Sequence, residues 1–247
     1  MIGKILEHHI LDHAINFFGV DLPLTQFNLM MLIVSAVILL VFVIAAHKKT
    51  GYLRTVAEMF VMFVRDDLVL PNLHEKGRRL VPFFCTLFIF ILFSNYLGML
   101  PWAKTVTSNI SVTAGLALIS LFIIVSQSIK NNGFGGFVKT FLPGGVPWWL
   151  APLMFPLEIL SLIIRIFVLA VRLFANMTAG HIILIGLISF IFIIGAQYGM
   201  KDGFITSGPV MLMTLFVSIL ELLVAVIQAY VFTLLTVIFT SLQLEAH

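Results

Sequence analysis

The sequence predicts an all-α integral membrane protein: about five transmembrane helices plus one interfacial amphipathic helix, the last two helices long, steeply tilted and joined as a hairpin. Three observations predict it. Of 247 residues, 61% are hydrophobic and only 10% charged, and a mean hydropathy of +1.14 lies outside the range of soluble domains. Apolar runs recur between polar connections, each at least as long as the approximately 20 residues that cross a hydrocarbon core about 30 Å thick. The last two runs are far longer than that. The net charge of +3 and pI near 9.1 do not signal nucleic acid, because the basic residues are scattered over connecting segments instead of forming a stripe. Cys85 is the single cysteine, which excludes an internal disulfide and a cysteine metal site; we expect it to pack.

We read the chain, 1–247, as one membrane domain: an N-terminal segment 1–26, three spans with their connections over 27–150, and the hairpin 151–247. Residues 1–26 are polar at the start and carry His8, His9 and His13, but no acidic or cysteine ligand is arranged with them, so no metal is expected there. The segment lacks the pattern of a secretory signal and is read as part of the mature protein. Residues 27–46 are twenty in a row without a charge, the first span. From His47 to Arg79 the connection carries seven Lys or Arg. Within it, 56–69 interleaves apolar positions with Glu58, Arg65, Asp66 and Asp67, a pattern for a helix lying at the interface. Residues 80–100, closed by Pro101, form the second span and 110–129 the third. A Gly- and Pro-rich loop is expected over 130–150, with Trp148 and Trp149 at the headgroup level.

Orientation follows from counting Lys and Arg on alternate sides. The connections 47–79 and 130–150 hold nine, whereas the N-terminus, 101–108 and 196–208 hold three. By the positive-inside rule the N-terminus is outside and the C-terminus inside.

The last two apolar segments, 157–194 and 209–242, are 38 and 34 residues long, about 57 and 51 Å as helices. Fitting either into ~30 Å of hydrocarbon requires a tilt of some 55° or more, or a break at Gly180 or Gly186. We expect the inclined hairpin, joined over 195–208 and presenting a broad face to a partner. Its first arm carries Glu158, Arg165, Arg172, Asn176 and His181 inside otherwise apolar sequence. An ionised side chain there costs roughly 2.5 to 3.5 kcal/mol on insertion scales, so these residues are functional candidates. At about 100° per residue Glu158, Arg165, Arg172 and Asn176 fall within roughly 40° of one another, while His181 lies about 180° from Arg172. Glu158 and Arg165 also suit a purely structural role as glue between helices. On the second arm Glu221 and Gln228 are a heptad apart, with Thr214 one heptad earlier, a stripe that meets either Arg172 and Asn176 or the His181 face. Glutamate and histidine are residue types that pass protons: imidazole titrates near neutrality, and a carboxyl group's hold on its proton responds to burial.

The run Arg172-Leu-Phe-Ala-Asn176-Met-Thr-Ala-Gly180-His181, followed by Leu223-Val-Ala-Val-Ile-Gln228-Ala-Tyr, closely resembles subunit a of the F-type ATP synthase. Asn95-Tyr-Leu-Gly-Met-Leu-Pro101 and the placing of Glu158 fourteen residues before Arg172 are similar to that family too. The resemblance runs from about 27 to the C-terminus. It implies a proton-translocating stator of the Fo sector that offers two half-channels to a rotating c-subunit ring, and that is not catalytic by itself. It implies the c-ring, peripheral-stalk b subunits, other synthase subunits and the lipid bilayer as partners, with no cofactor. The membrane implied is the bacterial plasma membrane, or else the mitochondrial inner membrane. By similarity Arg172 faces the ring carboxylate, Asn176 and Gln228 line its neighbourhood, and His181 and Glu221 relay protons. Glu158, Arg165 and Asn95 line the channel or hold it together. Many bacterial relatives carry Glu where this chain has His181 and His where it has Glu221; the exchange keeps one carboxylate and one imidazole. The rival reading is a secondary transporter or ion channel with an intramembrane Arg and Glu as its site, although the internal repeats common in transporters are not evident.

Overall fold

The computed structural model describes residues 14–17, 20–47, 51–99, 106–140, 150–198 and 200–245. Two short antiparallel strands, β1 (Ala14–Phe17) and β2 (Val20–Thr25), come first, with Phe17 opposite Val20. They depart from the all-helical expectation only ahead of the spans. His8, His9, His13, Trp148 and Trp149 lie outside the described residues.

Among the described residues almost all of the chain after β2 is helical, and five stretches of it are long and apolar enough to cross a membrane. The first helix, α1 (Gln26–His47), buries Val34 and Ala45 while Leu39 and Leu40 stay exposed, as suits a helix with one side on the protein and the other in lipid. The expected interfacial helix is α2 (Tyr52–Phe63), none of whose residues is buried. Its Phe60 and Phe63 rings reach Phe88, at centroid distances of 5.2 and 6.1 Å, and so tie it to the second span. Where the sequence reading continued this helix to Val69, the chain widens into a π-helical turn, Val64–Val69. Pro71 supplies a reason: it has no N–H to offer the carbonyl four residues back and its ring crowds that carbonyl. The turn carries Val64, Leu68 and Val69 into the core while Arg65 and Asp66 pair outward at 2.7 Å. One further turn, Leu70–Leu73, and a 3₁₀ stretch, His74–Leu80, complete the connection. Gly77 lies so close to it that an added Cβ would stand 2.6 Å from the Leu73 Cβ.

The second span is α3 (Val81–Gly98), with Pro82 in its first turn where a missing N–H costs nothing. A short 3₁₀ turn, Val106–Ser108, leads into α4 (Ile110–Thr140). This corrects the expected loop over 130–140, while its remainder, 141–149, lies outside the described residues. The helix runs on through Asn131 and Asn132, turns at Gly133 (φ 69°, ψ 173°) and resumes to Thr140. Polar side chains sustain it, because Asn131 donates to the Gln127 carbonyl at 3.1 Å and Asn132 to the Gln243 carbonyl at 3.1 Å.

The hairpin arms are α5 (Ala151–Tyr198) and α6 (Met200–Glu245). Each is longer than expected, since the segment 195–208, read as a loop, is helical up to Tyr198 and again from Met200. Helix α5 also runs unbroken through Gly180 and Gly186, so inclination rather than a break must reconcile its length with a bilayer. Forty-eight residues span about 72 Å, more than twice a hydrocarbon core of about 30 Å. The main core sits at one end of the hairpin, where Val64, Leu68, Phe84 and Ile91 meet Leu169 and Leu173 of α5 and Ala229 and Phe232 of α6.

Candidate functional site

Two contacts between the antiparallel arms α5 and α6 give their register. The His181 Nδ1 lies 4.0 Å from the Glu221 Oε1, and the Arg165 guanidinium sits over the Phe239 ring, 5.6 Å from its centre. Stepping from the first contact to the second, Arg172 comes level with about 230–231 of α6, within one turn of Gln228. It stands nine residues, or about 13.5 Å, from His181 along the helix.

The polar residues of α5 divide between two faces. Arg172 and Arg165 are exposed, Asn176 and Glu158 half-buried, and His181 turns toward α6. Beneath Arg172, Leu173 and Met177 are fully buried, which directs the arginine outward. Its own face is built of small residues: Ala175 and Ala179 are exposed and lie within about 60° of it on the wheel. The surface continues across α6 with Leu223, Val226, Ile227 and Tyr230. Among the described residues Arg172 makes no hydrogen bond or ion pair, whereas Arg165 is occupied by Phe239. Arg165 and Glu158 form no ion pair with each other, so a role for them in joining helices does not come from a direct bond between the two.

On the inner face Glu221 is 8% exposed, and both its carboxylate oxygens are buried without a hydrogen bond among the described residues. The carboxylate lies flat against Gly180, where an added Cβ would stand 2.6 Å from Oε1 and 2.9 Å from Cδ. Only a glycine leaves that room. At 4.0 Å the imidazole is just beyond direct hydrogen bonding, a gap that a small shift or one water closes. Two turns along α6, Gln228 is also buried, with its Nε2 unbonded among the described residues. Behind Ala225, between Glu221 and Gln228, stands Asn95 of α3. It donates to the Ala225 carbonyl at 3.4 Å and accepts from the Thr107 hydroxyl at 2.8 Å. Thr214 answers to its own helix, donating to the Val210 carbonyl at 2.8 Å.

Thus His181, Glu221, Gln228 and Asn95 gather along the inner side of α6, while Arg172 stands on the outer face at the lower end of that row. Glu158 is fourteen residues, about 21 Å, further along α5 and joins neither group. Sequence reasoning missed Gly180 as the seat of Glu221, Thr107 as the partner of Asn95, and Phe239 beneath Arg165. Gly180 was open to detection, since it adjoins His181 in a helix whose neighbour carries a carboxylate; the other two depend on contacts between distant segments.

The family model for the ATP synthase A chain matches residues 28–241. That stretch contains every residue of the site. The chain belongs to the ATP synthase A chain family. Relatives named ATP synthase subunit a are 40% identical in Myxococcus xanthus, covering 90% of this chain and 73% of the relative, and 40% in Gluconobacter oxydans, covering 96% and 94%. The subunit a of Rhodospirillum rubrum is 38% identical, covering 95% of this chain and 94% of the relative. Membership of the ATP synthase A chain family makes this chain the membrane-embedded, proton-translocating Fo component that the sequence implied, with other ATP synthase subunits as its partners.

Proposed function

We propose that the outer face around Arg172 bears on the rotating c-subunit ring, and that the inner row from Glu221 to Gln228 belongs to one of two half-channels that bring protons to it. The observation that carries this reading is an exposed arginine amid apolar surface with no ion pair among the described residues. Against lipid, such a charge costs several kcal/mol; against a ring that presents a carboxylate, it is paired. The exposed Ala175 and Ala179 let a partner helix come close. The guanidinium stays charged at any physiological pH, so it attracts each arriving carboxylate in its ionised form and promotes release of the proton it carried. Its fixed charge also stands between the two half-channels and closes the direct route. A proton crossing is worth about 2.3 kcal/mol per 100 mV, and that energy becomes rotation only if the shortcut is shut.

His181 and Glu221 pass the proton on the side of Arg172 nearer the α5–α6 turn. That side is the outer one if the N-terminus is outside and the C-terminus cytoplasmic, as the distribution of Lys and Arg favours for a bacterial plasma membrane. Asn176 and Gln228 line the neighbourhood of Arg172, and Asn95 braces α6 between Glu221 and Gln228. Glu158 and Arg165 are assigned to the other end of the hairpin, where peripheral-stalk b subunits complete the stator. A photo-crosslinking residue at Val168, exposed one turn from Arg172, tests the ring contact in the assembled synthase. Crosslinks to a small two-helix subunit support the proposal; crosslinks only to a second copy of this chain would favour the transporter reading and overturn it.

A further inference from the structure

A cleft of about 530 Å³ opens where the π-helical turn meets the start of α3, lined by Arg65, Asp66, Leu70, Arg78, Val81 and Pro82. Its place follows from the chain itself: α2 and this turn form the amphipathic connection before the second span, which puts the cleft at the headgroup level. Its lining combines the apolar Leu70, Val81 and Pro82 with two guanidinium groups and the Asp66 carboxylate. Arg65 is held in place by two donations to Asp66, from Nε at 2.7 Å and from a terminal nitrogen at 2.9 Å. A guanidinium has five N–H donors, so three remain on an arginine whose orientation is already set. Arg78 is bound loosely, 3.5 Å from a highly exposed Glu75, and an exposed pair of this kind is worth little and exchanges readily. Two guanidinium forks beside apolar side chains suit a phosphate that has a hydrocarbon chain attached.

We propose that this cleft binds the phosphodiester headgroup of one anionic phospholipid, with Arg78 leaving Glu75 to join Arg65 on the phosphate and an acyl chain lying along Leu70, Val81 and Pro82. The proposal rests on the interfacial position of the connection and is independent of the roles given to Arg172 and Glu221. The experiment uses the whole synthase in nanodiscs of phosphatidylcholine containing a minor fraction of photoactivatable phosphatidylglycerol. In the wild-type complex, labelling should concentrate on the peptide 65–82 and exceed that by photoactivatable phosphatidylcholine. Arg65→Gln with Arg78→Gln should lower it about a hundredfold, the loss of two charge-assisted contacts at about tenfold each, while Lys48→Gln leaves it unchanged. Equal labelling of wild type by the two lipids, or unchanged labelling of the double variant in intact complex, would overturn the proposal. So would full displacement by millimolar inorganic phosphate, which would mark a site for the free anion. The wild-type comparison decides the matter even if the double variant fails to assemble.

Discussion

Replacing Gly180 with alanine tests how the inner site is built. The added Cβ would stand 2.6 Å from the Glu221 Oε1 and 2.9 Å from its Cδ. Ordinary contact begins near 3.4 Å, so the carboxylate must retreat by about 0.8 Å on the Oε1 side or the arms must part. Overpacking of this kind costs roughly 1–3 kcal/mol. If the whole cost falls on the step in which Glu221 carries a proton, synthesis slows by about five- to 150-fold. The assay is ATP synthesis by proteoliposomes under an imposed proton gradient, with assembly checked by headpiece retention. Shortening the acid should relieve the clash: Glu221→Asp alone is expected to impair synthesis by lengthening the gap to His181, but Gly180→Ala with Glu221→Asp should lose less than the product of the two single effects. Strictly multiplicative effects, or normal synthesis by Gly180→Ala, would refute the placing of the carboxylate against that glycine.

Glu221→Gln should lower proton-driven synthesis strongly, because an amide keeps the volume but cannot take up and release a proton, whereas Thr214→Val should change little since the Thr214 hydroxyl is spent on the Val210 carbonyl of its own helix; the same liposome assay ranks the two. Phe239→Leu removes the ring beneath Arg165 and should lower complex stability by about 0.5–1 kcal/mol, the worth of an exposed cation–π contact, as read from thermal dissociation, with no new proton leak. A tag at the C-terminus and cysteine labels within 47–79 should react from the same side of the membrane, and opposite sides would overturn the odd number of spans.

The helix count and the polar residues were legible because both depend on local chemistry: uninterrupted apolar runs mark spans, and an arginine such as Arg172 in mid-run has no cheap explanation. The wheel separated Arg172 from His181, and the structure holds them on different faces of α5. Helix ends were less legible. Gly195 and Gly208 read as a loop, yet helix runs nearly through that segment, and α4 continues past Lys130 because Asn132 finds a carbonyl on α6. Such support comes from residues more than a hundred positions away, which periodicity does not register. The partner of Glu221 was likewise undecidable between two faces until the register of α5 on α6 was known.

Arg172 carries the central claim, that one fixed positive charge both engages the ring and separates the half-channels. The direct measurement compares Arg172→Ala, Arg172→Lys and wild-type synthase in vesicles for ATP-driven pumping and for passive proton flux after the headpiece is stripped. Arg172→Ala should abolish pumping, retain some ATP hydrolysis and leak protons passively. Arg172→Lys should also fail to pump but leak less, because a compact ammonium keeps a charge without the planar fork and can lose its proton beside a carboxylate. Near-normal pumping by fully assembled Arg172→Ala synthase would contradict the account and make Arg165 the next residue to test.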